Sequence, residues 1–156
     1  MGIYSALVLF FMSMVPVVEL RGAIPYGFAC ELPLWETMLI SILGNMAPTP
    51  FIVIFTRKIF AWLKTKKFLA RFAEWCERRV LSKKDVLQKY ELIGLAILVA
   101  IPLPGTGAWT GAMLAGLMNI RLKKALPAIF IGVVVAAAIV AGVSYGFLGA
   151  IDFLML

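Results

Sequence analysis

The chain has 156 residues, 63% hydrophobic and 15% charged, with a mean hydropathy of +1.00 and a net charge of +7. Soluble domains carry roughly 45–50% apolar and about 25% charged residues, so the composition is that of a polytopic membrane protein. With no His, and with Cys30 and Cys76 far apart, it excludes His-based acid–base chemistry, a Ser-His-Asp triad and a CxxC redox or zinc motif.

The first apolar region, Ile3 to Cys30, has no basic n-region and no A-x-A site, so it is read as part of the fold and not as a cleaved signal. Pro16, the Glu19–Arg21 pair and Pro25 break it into half-segments of about 20 Å each. A crossing helix needs about 20 apolar residues. The pattern therefore predicts a re-entrant hairpin, whose irregular tip is tolerated at depth only if buried in protein or lining a wet cavity. A single kinked crossing helix is the alternative. A first spanning helix is predicted from Glu36 to Thr56, interrupted around Pro48, Thr49 and Pro50, with Asn45 a candidate cavity residue.

Residues 57–91 hold eleven Lys and Arg against four Glu and Asp, which is already the whole +7. Apolar residues recur there at three-to-four spacing (Ile59, Phe60 and Leu63, then Phe68, Leu69 and Phe72) with Trp62 and Trp75 among the cations. That predicts a basic amphipathic cytoplasmic insert lying on anionic lipid headgroups, with a second short helix capped by Ser82 and Asp85 and ending near Tyr90. The basic pI is thus no argument for nucleic acid. A second hairpin follows from Leu92 to Met118, broken by Pro102-Leu103-Pro104-Gly105-Thr106-Gly107, and a second spanning helix from Ala125 to Ile151.

Each half thus runs hairpin, short polar turn, spanning helix, at an offset of about 85 residues. The insert and the Arg121, Lys123, Lys124 turn belong in the cytoplasm, and the turn with Glu31 and Glu36 outside. The expected fold is all-α: 1–56 as repeat one, 57–91 as the insert and 92–156 as repeat two. The repeats are inverted, as in secondary transporters with a mid-membrane site.

Glu19 and Arg21 are the ionisable residues placed at depth, where charges are costly and point to function. An extended turn beside Pro16 would let both face one cavity. Either Arg21 holds an anion while Glu19 carries a proton, or the two neutralise each other and pin the tip. Pro104, Gly105, Thr106 and Gly107 offer backbone N–H groups where an outgoing half-helix starts. Arg21-Gly22 would open the equivalent helix in hairpin one, and such N-termini favour anions. Trp109 and Thr110 would wall the site. No metal or cofactor is expected.

The stretches Pro16-Val17-Val18-Glu19-Leu20-Arg21-Gly22-Ala23-Ile24-Pro25-Tyr26-Gly27 and Pro102-Leu103-Pro104-Gly105-Thr106-Gly107-Ala108-Trp109-Thr110-Gly111 resemble the small multidrug export protein family. That family is itself similar to the DedA superfamily of membrane transporters. The resemblance implies two re-entrant hairpins in a multi-pass protein of a prokaryotic plasma membrane. It also implies a role like that of DedA relatives, which flip polyprenyl phosphate carriers and support proton-dependent drug tolerance. Glu19 matches the acidic position in the first hairpin, whereas Thr106 and Trp109 stand where the second would carry basic residues. The expected function is proton-coupled movement of an amphipathic anion such as a lipid-linked phosphate. Export of hydrophobic cations and a non-transporting membrane scaffold are the alternatives. Membrane lipids and a second copy of the chain are the expected partners, with no nucleic acid.

Overall fold

The computed structural model describes residues 2–65, 74, 84–103 and 106–148, and among them all regular structure is helical. Pro104, Gly105, Ser82, most of the basic insert and the end of the second spanning segment, through Ile151, lie outside the described residues. Helix α1 covers Ile3–Met14 and α2 Glu19–Ala29; α3 covers Leu34–Met46 and α4 Thr49–Thr65. Then come α5, Lys84–Ala100, α6, Ala108–Leu117, and α7, Leu122–Ala141, which continues as π-helix over Gly142–Leu148.

The helix breaks have local causes. Pro16 carries no amide, and the chain turns through Val15–Val18 with Val17 at φ 77°, an unusual conformation for a β-branched residue. Pro25 was expected to break hairpin one but does not. Helix α2 runs through it, and only the bond to the Arg21 carbonyl is lost. Between α3 and α4, Pro48 and Pro50 remove two amides, and the Thr49 hydroxyl bonds the Asn45 carbonyl at 3.2 Å. The stretch Leu34–Trp62 still forms one helix long and apolar enough to cross a membrane, as does Leu122–Gly146. Two boundaries differ from expectation. Helix α4 passes Thr56 without a break and carries the first residues of the insert. Helix α5 does not stop near Tyr90 but continues to Ala100, because no proline intervenes.

Several turns and close contacts recur in the two halves at offsets of 86 to 88 residues. After α2 the chain turns with Glu31 at φ 53°, Cys30 N–H bonding Tyr26 O and Leu32 N–H bonding Gly27 O. After α6, 88 residues later, Asn119 has φ 56°, Met118 N–H bonds Leu114 O and Ile120 N–H bonds Ala115 O. Both are the left-handed turn that closes a helix C-terminus. Leu20, Ala23 and Ile24 are buried at the positions of Ala108, Gly111 and Ala112. In the first arms the offset is 86. A side chain on Gly44 would meet the Phe10 carbonyl and Ser13, and one on Gly132 would meet the Ala96 carbonyl and Val99. Helix α1 lies that close to α3, and α5 to α7, by the same contact.

The long helices also fix where the turns lie. Helix α3 leaves the turn at 30–33 and α4 continues it, and Arg57 of α4 donates to the Ile120 carbonyl in the turn at 118–121. Helix α7 leaves that second turn, and Tyr145, 88 residues after Arg57, meets the Leu32 carbonyl in the first at 2.9 Å. The two turns therefore sit at opposite ends of the long helices. Tyr145 also meets the Thr37 hydroxyl at 3.2 Å and packs edge-on against Phe28. Tyr145→Phe should keep the ring packing and lose about 1 kcal/mol of hydrogen bonding. In a thermal unfolding scan in detergent that is a midpoint about 2–4 °C lower.

Candidate functional site

The breaks of the two hairpins meet between the turns, and each charged residue of the first is used on the backbone of the second. Helix α5 ends at Ala100, and beyond it the carbonyls of Ile101 and Leu103 accept turn amides, Leu103 N–H at 2.9 Å and Thr106 N–H at 3.2 Å. Arg21 adds side-chain donors to both. Its guanidinium bonds the Leu103 carbonyl, the Ile101 carbonyl at 3.0 Å and the Thr106 hydroxyl at 3.1 Å. Thr106 in turn contacts both carbonyls, at 2.7 and 2.9 Å. A cation at a helix C-terminus is the favourable polarity.

Glu19 does the converse at the start of α6. Its carboxylate is 4% exposed and accepts the Trp109 backbone N–H at 3.2 Å, an anion on a helix N-terminus. Gly107 precedes that helix at φ 142°, ψ −166°, a region essentially restricted to glycine, and a Cβ there would fall on the Glu19 carboxylate. Glycine lets the carboxylate reach the amides. The indole N–H of Trp109 closes the arrangement from the other side, donating to the Met14 carbonyl at the end of α1 at 3.1 Å.

Trp109 stands 88 residues after Arg21. Each donates across to carbonyls just beyond or at the end of the other hairpin's first arm, so the two breaks cap each other. Sequence reading placed Trp109 as a wall and missed this; the constant offset after the breaks was the available signal.

The predicted site residues are thus brought together in part. Glu19, Arg21, Asn45 and Gly107 line one small void, walled otherwise by Leu20, Ala108 and α5 and α7 residues, with no room for a water molecule. Asn45 is 1% exposed, and its side-chain oxygen has no hydrogen-bond partner among the described residues. The expected extended turn lies at Val15–Val18, one turn earlier than Arg21. Glu19 and Arg21 themselves belong to α2, which starts at Glu19 and not at Arg21-Gly22, because Glu19 N–H already bonds Val15 O. The two side chains diverge along the helix, one to the amides and one to the carbonyls. Gly22 packs on Val18 within its own hairpin. Thr110 lies half-buried in the first turn of α6.

Beside the breaks runs a groove of about 700 Å³ along α4. Met14 and Trp109 form its inner end, Ala47, Pro48, Phe51 and Phe55 its floor, and Lys58 its far end. Among the described residues that line it, Lys58 is the one that is ionisable.

No curated protein and no solved structure matches the chain. The family described as "Putative small multi-drug export protein" matches residues 19–139, from the Glu19 that begins α2 to near the end of α7. That span contains the second break, the whole of the first long helix and most of the second, and the chain belongs to the small multi-drug export protein family.

Proposed function

We propose that the chain is a proton-coupled membrane transporter for an amphipathic anion. In this reading it is built as two inverted repeats, each a re-entrant hairpin followed by a transmembrane helix. The opposed turns support the inversion. Helices α2 and α6 have 11 and 10 residues, about 15 Å each, and end to end they match the roughly 30 Å of a bilayer core. Their meeting point then falls at mid-membrane, with the Arg121–Lys124 turn cytoplasmic and the Glu31–Glu36 turn outside.

The observation that carries the reading is the Glu19 carboxylate on the α6 N-terminus. It holds the place that a substrate phosphate or carboxylate would take. When Glu19 takes up a proton, its claim on the Trp109 amide weakens, and an incoming anion can replace it on those donors. One anion exchanges for another, so the N-terminus is never left bare in a low-dielectric interior. The substrate and the proton move together. Polyprenyl phosphate fits this chemistry: one anionic head for the amides and an apolar tail for the surrounding helices.

The family description favours a second reading, export of hydrophobic cations with Glu19 as counter-ion. The two are separable in proteoliposomes loaded with a pH-sensitive dye. Addition of a prenyl phosphate should drive proton movement in the wild-type protein and none in Glu19→Gln. Proton-linked movement of a cationic dye that Glu19→Gln abolishes and Arg21→Ala spares would instead establish the cation reading.

A further inference from the structure

The groove along α4 is separate from the void between the breaks, and its shape and charge point to a particular occupant. From Pro48 to Lys58 is ten residues of helix, about 15 Å, which is half the hydrocarbon thickness and so the depth of one leaflet. Its inner end at Met14 and Trp109 lies level with the breaks, and its outer end carries an ammonium. Phe51 is 73% and Phe55 65% exposed, so the floor faces away from the protein core. Among the described residues the lining is otherwise apolar, and none of them is a carboxylate that competes for Lys58. A zwitterionic headgroup would bring a cation next to that ammonium; an anionic one would not.

We infer that this groove binds one anionic phospholipid of the Lys58-side leaflet, its phosphate on the Lys58 ammonium and an acyl chain along Phe55, Phe51 and Pro48 to the Trp109 indole. The inference rests on the reading that the long helices cross the bilayer, with the breaks at mid-depth, and it needs no transport. The acyl chain ends on Trp109, whose indole N–H holds the end of α1 and whose backbone N–H holds Glu19. The lipid therefore packs on the residue through which both breaks are closed.

Trp109 is also the reporter. The experiment uses the full chain with Trp35, Trp62 and Trp75 replaced by Phe, which leaves Trp109 as the single tryptophan, excited selectively beyond the tyrosine band. It is reconstituted in bilayers in which brominated phosphatidylglycerol or brominated phosphatidylcholine is titrated against its unbrominated counterpart. Bromines on the acyl chain quench Trp109 only when a chain lies against it. Brominated phosphatidylglycerol should compete about fivefold better than phosphatidylcholine, the size expected for one Lys near the membrane surface, and Lys58→Gln should make the two lipids equal. Equal quenching in the wild-type background, or a preference that survives Lys58→Gln, overturns the proposal. Absence of quenching by either lipid would mean that protein, a second copy or residues 66–83, closes the groove, and would also overturn it. These outcomes are independent of the proton-flux assay, since lipid quenching is read at equilibrium without substrate.

Discussion

Gly107→Ala is expected to lower the thermal midpoint of the protein by about 10 °C, with two separable contributions. The backbone at φ 142°, ψ −166° costs a residue with a Cβ about 1–3 kcal/mol. The added methyl also falls on the Glu19 carboxylate, which must swing off the Trp109 amide and forfeit a charged hydrogen bond of about 1.5–3 kcal/mol. A double-mutant cycle with Glu19→Ala distinguishes them. Removing the carboxylate should cancel the second contribution and leave the first. If the two changes add without coupling, Glu19 does not lie on Gly107. A Gly107→Ala protein that melts like the wild type would contradict the geometry of the break itself.

The second large effect falls on Arg21. Arg21→Ala removes the guanidinium from the Ile101 and Leu103 carbonyls, which keep their turn amides, and should cost about 1.5–3 kcal/mol for the lost charged hydrogen bonds. Arg21→Lys keeps the charge but replaces a planar fork by a single point donor, so it should recover only part of the loss. Trp109→Phe, at the corresponding position, removes one neutral hydrogen bond to Met14 and should cost about 1 kcal/mol. Unfolding in detergent, followed by loss of monodisperse elution on heating, should therefore rank Ala at 21 below Lys at 21, and both below Phe at 109. Equal behaviour of Arg21→Ala and Trp109→Phe would mean that the guanidinium fork does not hold the second break.

Much of this was legible in the residues. The prolines at 16, 48, 50 and 102 announce where helices stop, because a missing amide has the same effect in any tertiary setting, and both long helices follow from apolar runs of sufficient length. Pro25, inside α2, and Pro127, inside α7, are the exceptions. In an apolar setting a helix that loses one bond has nothing better to become. The helix ends expected at 56 and 90 mark where the charged insert begins and ends, and α4 and α5 run through both because a change of charge breaks no hydrogen bond.

The site was harder to read. Glu19, Arg21, Thr106 and Gly107 could be singled out as unusual residues at depth, and the choices offered were mutual neutralisation or a shared anion site. What each side chain touches is decided by which carbonyls and amides the other break presents, and that depends on two hairpins of different break length being brought face to face. Nothing local to Arg21 announces Ile101. Trp109 was taken for lining because an indole beside a break looks like bulk, and its donor role emerges only when the halves are aligned at 88 residues.

That alignment bears on symmetry. A chain with two identical halves would weigh equally two mirror arrangements, in which the halves exchange conformations. Here the exchange is not neutral. Glu19 corresponds to Gly107 and Arg21 to Trp109, so swapping conformations would ask a glycine to supply a carboxylate and an indole to do the work of a guanidinium. The break in the second half is also longer than in the first. The degeneracy is lifted by four residues at the meeting point, and the arrangement described above is the one in which every charge faces the polarity that suits it. The fold has a defined resting arrangement, and any excursion from it must first find new partners for Glu19 and Arg21.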